Sequence, residues 1–272
     1  MRVLEPLLGA YNAWAAHLPG IRGRGIILRA VDGLQRRGLA APIVTGEEGV
    51  RLELGTDYVA RSIFYSSNWE PEETALLRSL TPDGGTFLDV GANIGYFTLL
   101  ASRWVGATGR VFAFEPVTST HARLRRNIAL NEASNVIPIQ MGAASASGRA
   151  EIALEDDAGH SHLVSGGNTG NRQETITLTT VDAFVASKGL QRVDVLKIDV
   201  EGADFEVLRG AVTTLRRFQP VVLMEVELIS RFGATVDDVR LFLDGVGYDG
   251  ELIRHRSATD LLCRPRHPAS GR

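Results

Sequence analysis

From residue 86 to residue 264, short apolar runs alternate with stretches of helical period. That alternation restricts the chain to a parallel sheet with helices on both faces. The runs TFLDV (86–90), VFAFE (111–115), NVIPIQM (135–141), VDVLKIDV (193–200) and PVVLMEVE (220–227) read as strands, with a last strand at 260–264. They are continuously apolar rather than alternating, as strands buried on both faces are. Helical periods fill the gaps at 96–104, 119–131, 203–217 and 236–245. The fold class is therefore α/β, a Rossmann-like, doubly wound, mostly parallel sheet.

Two regions depart from this rhythm. Residues 1–80 read as an N-terminal extension, a lid or an interface. It consists of one or two helices with a basic side (Arg22, Arg24, Arg29, Arg36, Arg37), a hairpin around Gly46–Gly49, and a helix from Trp69 to Leu80 with Pro71 in its first turn. Residues 81–272 form the main domain. Within it, 142–180 is a polar, Gly-rich insertion that reads as a long loop between the strands EIALE and ETITLTT, and loops of that length usually serve a site or lack order.

Composition removes several classes of function. A net charge of −3 over 272 residues gives no support to general nucleic-acid binding. Cys263 is the single cysteine, so no intrachain disulfide or cysteine-rich zinc site can form, in keeping with a cytoplasmic protein. No apolar run reaches the ~18 residues of a membrane-spanning helix, and residues 3–18 make a poor signal peptide. Lys188 and Lys197 are the only lysines beside 27 arginines.

The sharpest local signal is DVGANIG at 89–95, at the junction of the first parallel strand and its helix. Gly91 and Gly95 permit close backbone approach to a ligand, and the helix start offers free N–H groups. Asp89 suits a ligand ammonium, and Glu115 at the end of the second strand suits a pair of ribose hydroxyls. A dinucleotide loop would read GxGxxG. Here Asn93 replaces the second glycine, and Asp89 would repel a pyrophosphate. An adenosyl ligand with an amino-acid tail fits better than a nicotinamide dinucleotide.

FLDVGANIGYFTLLA (87–101), VFAFEP (111–116), TVDAF (180–184), VDVLKIDVEGADFEVLRGA (193–211) and PVVLMEVE (220–227) together resemble the FkbM methyltransferases. The upstream WEPEE segment is similar as well, whereas residues 1–60 lie outside the resemblance. It implies a class I methyltransferase fold, S-adenosylmethionine as methyl donor and a hydroxyl acceptor on a sugar, glycolipid or polyketide. Carried over, Asp89, Gly91, Ala92, Asn93 and Gly95 would hold the methionine end, Glu115 the ribose, and Gly142 and Ala143 would lie near the adenine.

Lys197, Asp199 and Glu201 fall at alternate positions where the LKIDVEG strand ends, and Glu225 and Glu227 at the same end of the next. Charged groups there are either a structural network, with Lys197 neutralising Asp199, or a polar cluster beside the reacting centre. A sugar hydroxyl benefits from a base, worth about 10²–10⁴-fold, and the candidates are Asp199, Glu225 and His162. Asp199 with Glu225 could instead hold a magnesium ion. N-methylation, and a non-catalytic adenosyl-binding partner in a biosynthetic complex, stand as alternatives. The N-terminal segment suits a lid, a contact within a homo-oligomer, or docking on anionic lipid.

Overall fold

A computed structural model describes residues 43–53, 58–66, 68–154, 162–163, 172–255 and 258–266. The basic segment at 1–42 lies outside these residues, as does the side chain of His162.

The main sheet has seven strands: β3 (Thr86–Val90), β4 (Arg110–Phe114), β5 (Val136–Ile139), β10 (Val195–Ile198), β11 (Val221–Glu225), β12 (Tyr248–Arg254) and β13 (Thr259–Pro265). Their order is β12-β13-β11-β10-β3-β4-β5. The five from β5 to β11 run parallel, while β13 is antiparallel to both β11 and β12. The chain thus runs outward from β3 to β5, returns beside β3 as β10, and opens a crevice at the carboxyl ends of β3 and β10. This is the Rossmann-like, doubly wound arrangement that the alternation of runs and periods predicts.

Side-chain alternation divides the core in two. Phe87, Val195 and Leu223 enter one cluster, together with α3 (Tyr96–Trp104). Leu88, Leu196 and Met224 enter the other, with α5 (Val181–Ser187), α6 (Asp204–Arg209), α7 (Val212–Phe218) and α8 (Val236–Val246). The antiparallel pair β1 (Ile43–Thr45) and β2 (Arg51–Glu53), with α1 (Tyr58–Ser66) and α2 (Pro71–Leu80), packs Val44, Leu52, Ile63 and Leu77 into the first cluster. The described part of the extension therefore shares a core with the sheet, and no packing boundary falls at residue 80.

Local chemistry sets the helix ends. Thr235 and Asp238 form a reciprocal capping box at the start of α8, and Gly247 closes it in the left-handed conformation. A single helix over 203–217 is expected from periodicity; the structure divides it at Gly210. The Gly210 carbonyl accepts the Asp182 N–H (3.0 Å), while the Asp182 carboxylate accepts from Thr213 N (2.8 Å) and Thr214 N (2.7 Å) and so starts α7 afresh. Periodicity also leaves out β12 and α5. The two strands expected to bound the insertion at 142–180 are present as β7 (Gly148–Leu154) and β9 (Arg172–Thr179), and with β6 (Gly142–Ala143) and β8 (His162–Leu163) they form a small second sheet, seated on Val117 with Ile152 and Ile176 inward. Val117 leads directly into α4 (Thr118–Leu130), the helix that follows β4.

Candidate active site

A cavity of about 560 Å³ opens at the carboxyl ends of β3, β4, β10 and β11. One lobe is built by the β3–α3 turn and the end of β4. Gly91 N and Ala92 N donate to the Phe114 carbonyl (3.1 and 2.8 Å), folding the turn back on β4. Glu115 then accepts from Asn93 N (3.1 Å) and Val117 N (2.9 Å). Burial raises its carboxyl to about 7 in spite of those two hydrogen bonds. Asp89, 1% exposed, accepts from the Thr98 hydroxyl through Oδ2, and its Oδ1 and the Oδ1 of Asn93 are buried without a protein partner. Gly142, Ala143, Ile152, Ile176 and Leu178 supply a mostly apolar wall opposite.

Two of the loop glycines serve the protein itself. Gly91 has φ +89°, and a Cβ there would lie 1.8 Å from the Asp199 carbonyl oxygen, so backbone contact between β3 and the chain after β10 demands glycine. Gly95 has φ +98°, and a Cβ would meet Leu124 Cδ1 at 2.6 Å. It starts α3 where Leu124 of α4 packs against it, and it is not among the residues lining the cavity. Asp89, Gly91, Ala92, Asn93, Glu115, Gly142 and Ala143 all line it.

The other lobe is acidic. Lys197, 2% exposed, lies in register with Asp89 on β3 and Leu223 on β11. Its Nζ stands 2.9 Å from Asp199 Oδ2, 3.6 Å from Glu73 Oε1 and 4.6 Å from the centre of the Phe97 ring. Burial would favour loss of its proton, but Asp199, Glu73 and Asp89 outweigh that and hold the ammonium well above its ordinary value. β10 ends at Ile198, so Asp199 and Glu201 project from the turn beyond the strand and not from the strand itself. Asp204 in α6 ties that turn down by accepting from Val200 N (3.0 Å) and Gly202 N (2.9 Å).

Glu225, the last residue of β11, lies in register with Asp260 on β13. Burial, and then the charge of Asp199, raises Glu225 to about 9; burial, and then Glu73, raises Asp260 to about 8. Glu70, in the left-handed conformation before α2, is raised to about 9 by burial and then by the charge of Glu73 and a hydrogen bond to it. Sequence reasoning missed Glu70, Glu73 and Asp260 as members of this lobe. WEPEE carried the first two inside a familiar segment, while a lone Asp in a short terminal strand carries no signal. Among the described residues no group of three or more His, Cys, Asp or Glu side chains is arranged to hold a metal ion, so the pair Asp199 and Glu225 lacks a third protein ligand there. His162 pairs through its backbone with Ala153 in the small sheet.

The model of the methyltransferase FkbM domain matches residues 89–249, more than half of the chain. The chain belongs to the FkbM methyltransferase family. Among the family's curated relatives, the hexuronic acid methyltransferase AglP of Haloferax volcanii is 31% identical over 159 residues, covering 57% of this chain and 61% of that protein. Methyltransferase sdnD of Sordaria araneosa is 31% identical over 159 residues, covering 47% of this chain and 61% of that one. The match thus spans about three-fifths of the length of these relatives. A crystal structure of methyltransferase FkbM from Methylobacillus flagellatus covers 77% of this chain and 56% of its own, with a TM-score of 0.45 and 16% identity. The FkbM match begins at Asp89 and ends at Asp249. Glu70, Glu73 and Asp260 thus reach the cavity from outside the matched region.

Proposed function

We propose that this chain is an S-adenosylmethionine-dependent O-methyltransferase acting on a hydroxyl of a sugar, glycolipid or polyketide-type small molecule. The observation that carries the reading is the pairing of the two lobes. The first offers unpartnered acceptors, Asp89 Oδ1 and Asn93 Oδ1, beside an apolar wall. It fits an adenosyl ligand with an ammonium tail: Asp89 and Asn93 would accept from the amino-acid end, Glu115 from the ribose hydroxyls, and Gly142 and Ala143 would border the adenine. A pyrophosphate would meet three acidic or acceptor side chains there, Asp89, Asn93 and Glu115. When bound, the cofactor supplies an activated methyl group on a positively charged sulfur.

The acidic lobe is where an acceptor would lie. Asp199, held by Lys197, and Glu225 are placed to accept hydrogen bonds from its hydroxyls and to orient one of them, and alignment of this kind supplies much of the rate in a methyl transfer. Carboxylates around the reacting centre also favour a positively charged donor over its neutral product. The name of AglP supports a sugar-type acceptor; that of sdnD leaves the acceptor open. The proposal extends to a cytoplasmic location, to a lid or oligomer role for the N-terminal extension at residues 1–80 with its basic segment docking on a membrane, and to a magnesium ion on Asp199 and Glu225 as the alternative way of activating the hydroxyl.

Calorimetric titration with S-adenosylhomocysteine and NADH tests the cofactor. Binding of the former is expected in the micromolar range, weakened roughly 10–100-fold in Glu115→Ala, the value of a hydrogen bond to a charged group. NADH binding in its place would refute the reading. A panel of methyl glycosides with labelled S-adenosylmethionine then tests the acceptor, and methylation of amines but not hydroxyls would favour the N-methyltransferase alternative.

A further inference from the structure

Asp260 Oδ2 is buried in the acidic lobe without a hydrogen-bond partner, in a residue 3% exposed that lines the cavity. Facing it is His255 Nε2, 3.1 Å away and also without a hydrogen bond. On the far side of the same ring, Nδ1 lies 3.4 Å from Glu72 Oε2. The imidazole is 7% exposed and the Glu72 side chain 54% exposed, so the three groups lead from the cavity wall to solvent. His255 and Asp260 lie on either side of the β12–β13 turn, and Glu72 in the first turn of α2. All three stand outside residues 89–249.

We propose that Asp260 takes the proton of the acceptor hydroxyl and that His255 and Glu72 carry it to solvent. The proposal rests on transfer to a hydroxyl as read above. As the acceptor oxygen bonds to the methyl carbon, the methyl–sulfur bond breaks with its electron pair going to sulfur, and the hydroxyl proton passes to Asp260 Oδ2. His255 accepts that proton at Nε2 and releases the one on Nδ1 to Glu72, which is open to water. The relay requires a neutral ring protonated on Nδ1.

The charges around Asp260 suit it to hold a proton briefly. The charges of Glu73 of α2, Asp199 beyond β10 and Asp204 of α6 bear on it, the Lys197 ammonium opposes them, and Glu225 of β11 stands beside it in register. Asp199 already has its carboxylate engaged by that ammonium, whereas Asp260 is the carboxylate of the lobe with an imidazole against it.

Nitrogen-15 NMR of the full chain bound to S-adenosylhomocysteine, with the His255 signal assigned by its loss in His255→Gln, reads the tautomer directly. A neutral ring with its proton on Nδ1 is expected at pH 7.5; a proton on Nε2 would break the relay and overturn the proposal. On a glycoside methylated by the wild type, Asp260→Asn should lower kcat about 10²–10⁴-fold with S-adenosylhomocysteine affinity kept. His255→Gln should lower kcat with KM unchanged, and added imidazole should restore part of the activity of His255→Ala. Unchanged kcat in both His255 variants would overturn the relay. Failure of the wild type to methylate any hydroxyl on the panel would count against O-methylation, and the tautomer would still decide whether the relay is built.

Discussion

Lys197 lies beside Asp89 in the register of β10 on β3, yet its ammonium closes on Asp199, 2.9 Å away. One cation thus serves Asp199 and Glu73 directly and Asp89 by its field. Removing one partner of a buried ion pair leaves the others uncompensated, at about 3–5 kcal/mol. Lys197→Met is therefore expected to lower Tm by roughly 10 °C, at about 2–4 °C per kcal/mol for a chain of this size. Scanning calorimetry checks this, and a loss under about a third of that would show that the carboxylates had simply taken up protons.

Gly91→Ala is expected to prevent folding or leave an insoluble chain, because the new Cβ would overlap the Asp199 carbonyl at a backbone φ of +89°. Gly148→Ala has nothing within 4 Å of its Cβ and should fold normally. Soluble yield and far-UV circular dichroism of the two variants provide the comparison. A folded Gly91→Ala protein would mean that the backbones of β3 and the turn after β10 separate easily.

Stability should fall as pH rises, the reverse of proteins held by salt-bridged carboxylates. Burial raises Glu115 and Asp204 to about 7, Asp260 to about 8, and Glu70 and Glu225 to about 9. Between their unfolded values near 4 and those folded values, the native state binds more protons than the unfolded chain, so each rise in pH favours unfolding. For Glu115 alone, the gap between 4.5 and about 7 is worth on the order of 3 kcal/mol, since each tenfold difference in proton affinity is about 1.4 kcal/mol. Tm of the ligand-free chain is expected to be highest near pH 5 and to decline towards pH 9, with a shallower decline in Glu225→Gln. A Tm that rises over that range would contradict the burial of these groups.

The five parallel strands β3, β4, β5, β10 and β11 were legible because each is a continuous apolar run bounded by turn residues, and the site loop because Gly91 and Gly95 hold backbone that favours glycine. DVGANIG and LKIDVEG could therefore be placed at the carboxyl ends of parallel strands, while the fold alone set β10 beside β3. The break at Gly210 could not be read, since Asp182, far earlier in the chain, supplies the cap that starts α7. Nor could β12, whose residues pair only once β13 has folded back on β11.

What the sequence determined by itself is local: which segments are strands, which turns need glycine, and which carboxylates stand at strand ends. Tertiary structure decided what those groups face. It packed Leu124 against Gly95, and brought Glu73 from α2 against Lys197. It also set Asp260 beside Glu225 and His255. Most of these contacts join residues far apart in the chain, and sequence periodicity reports only which face a residue occupies, not which neighbour the fold brings to it.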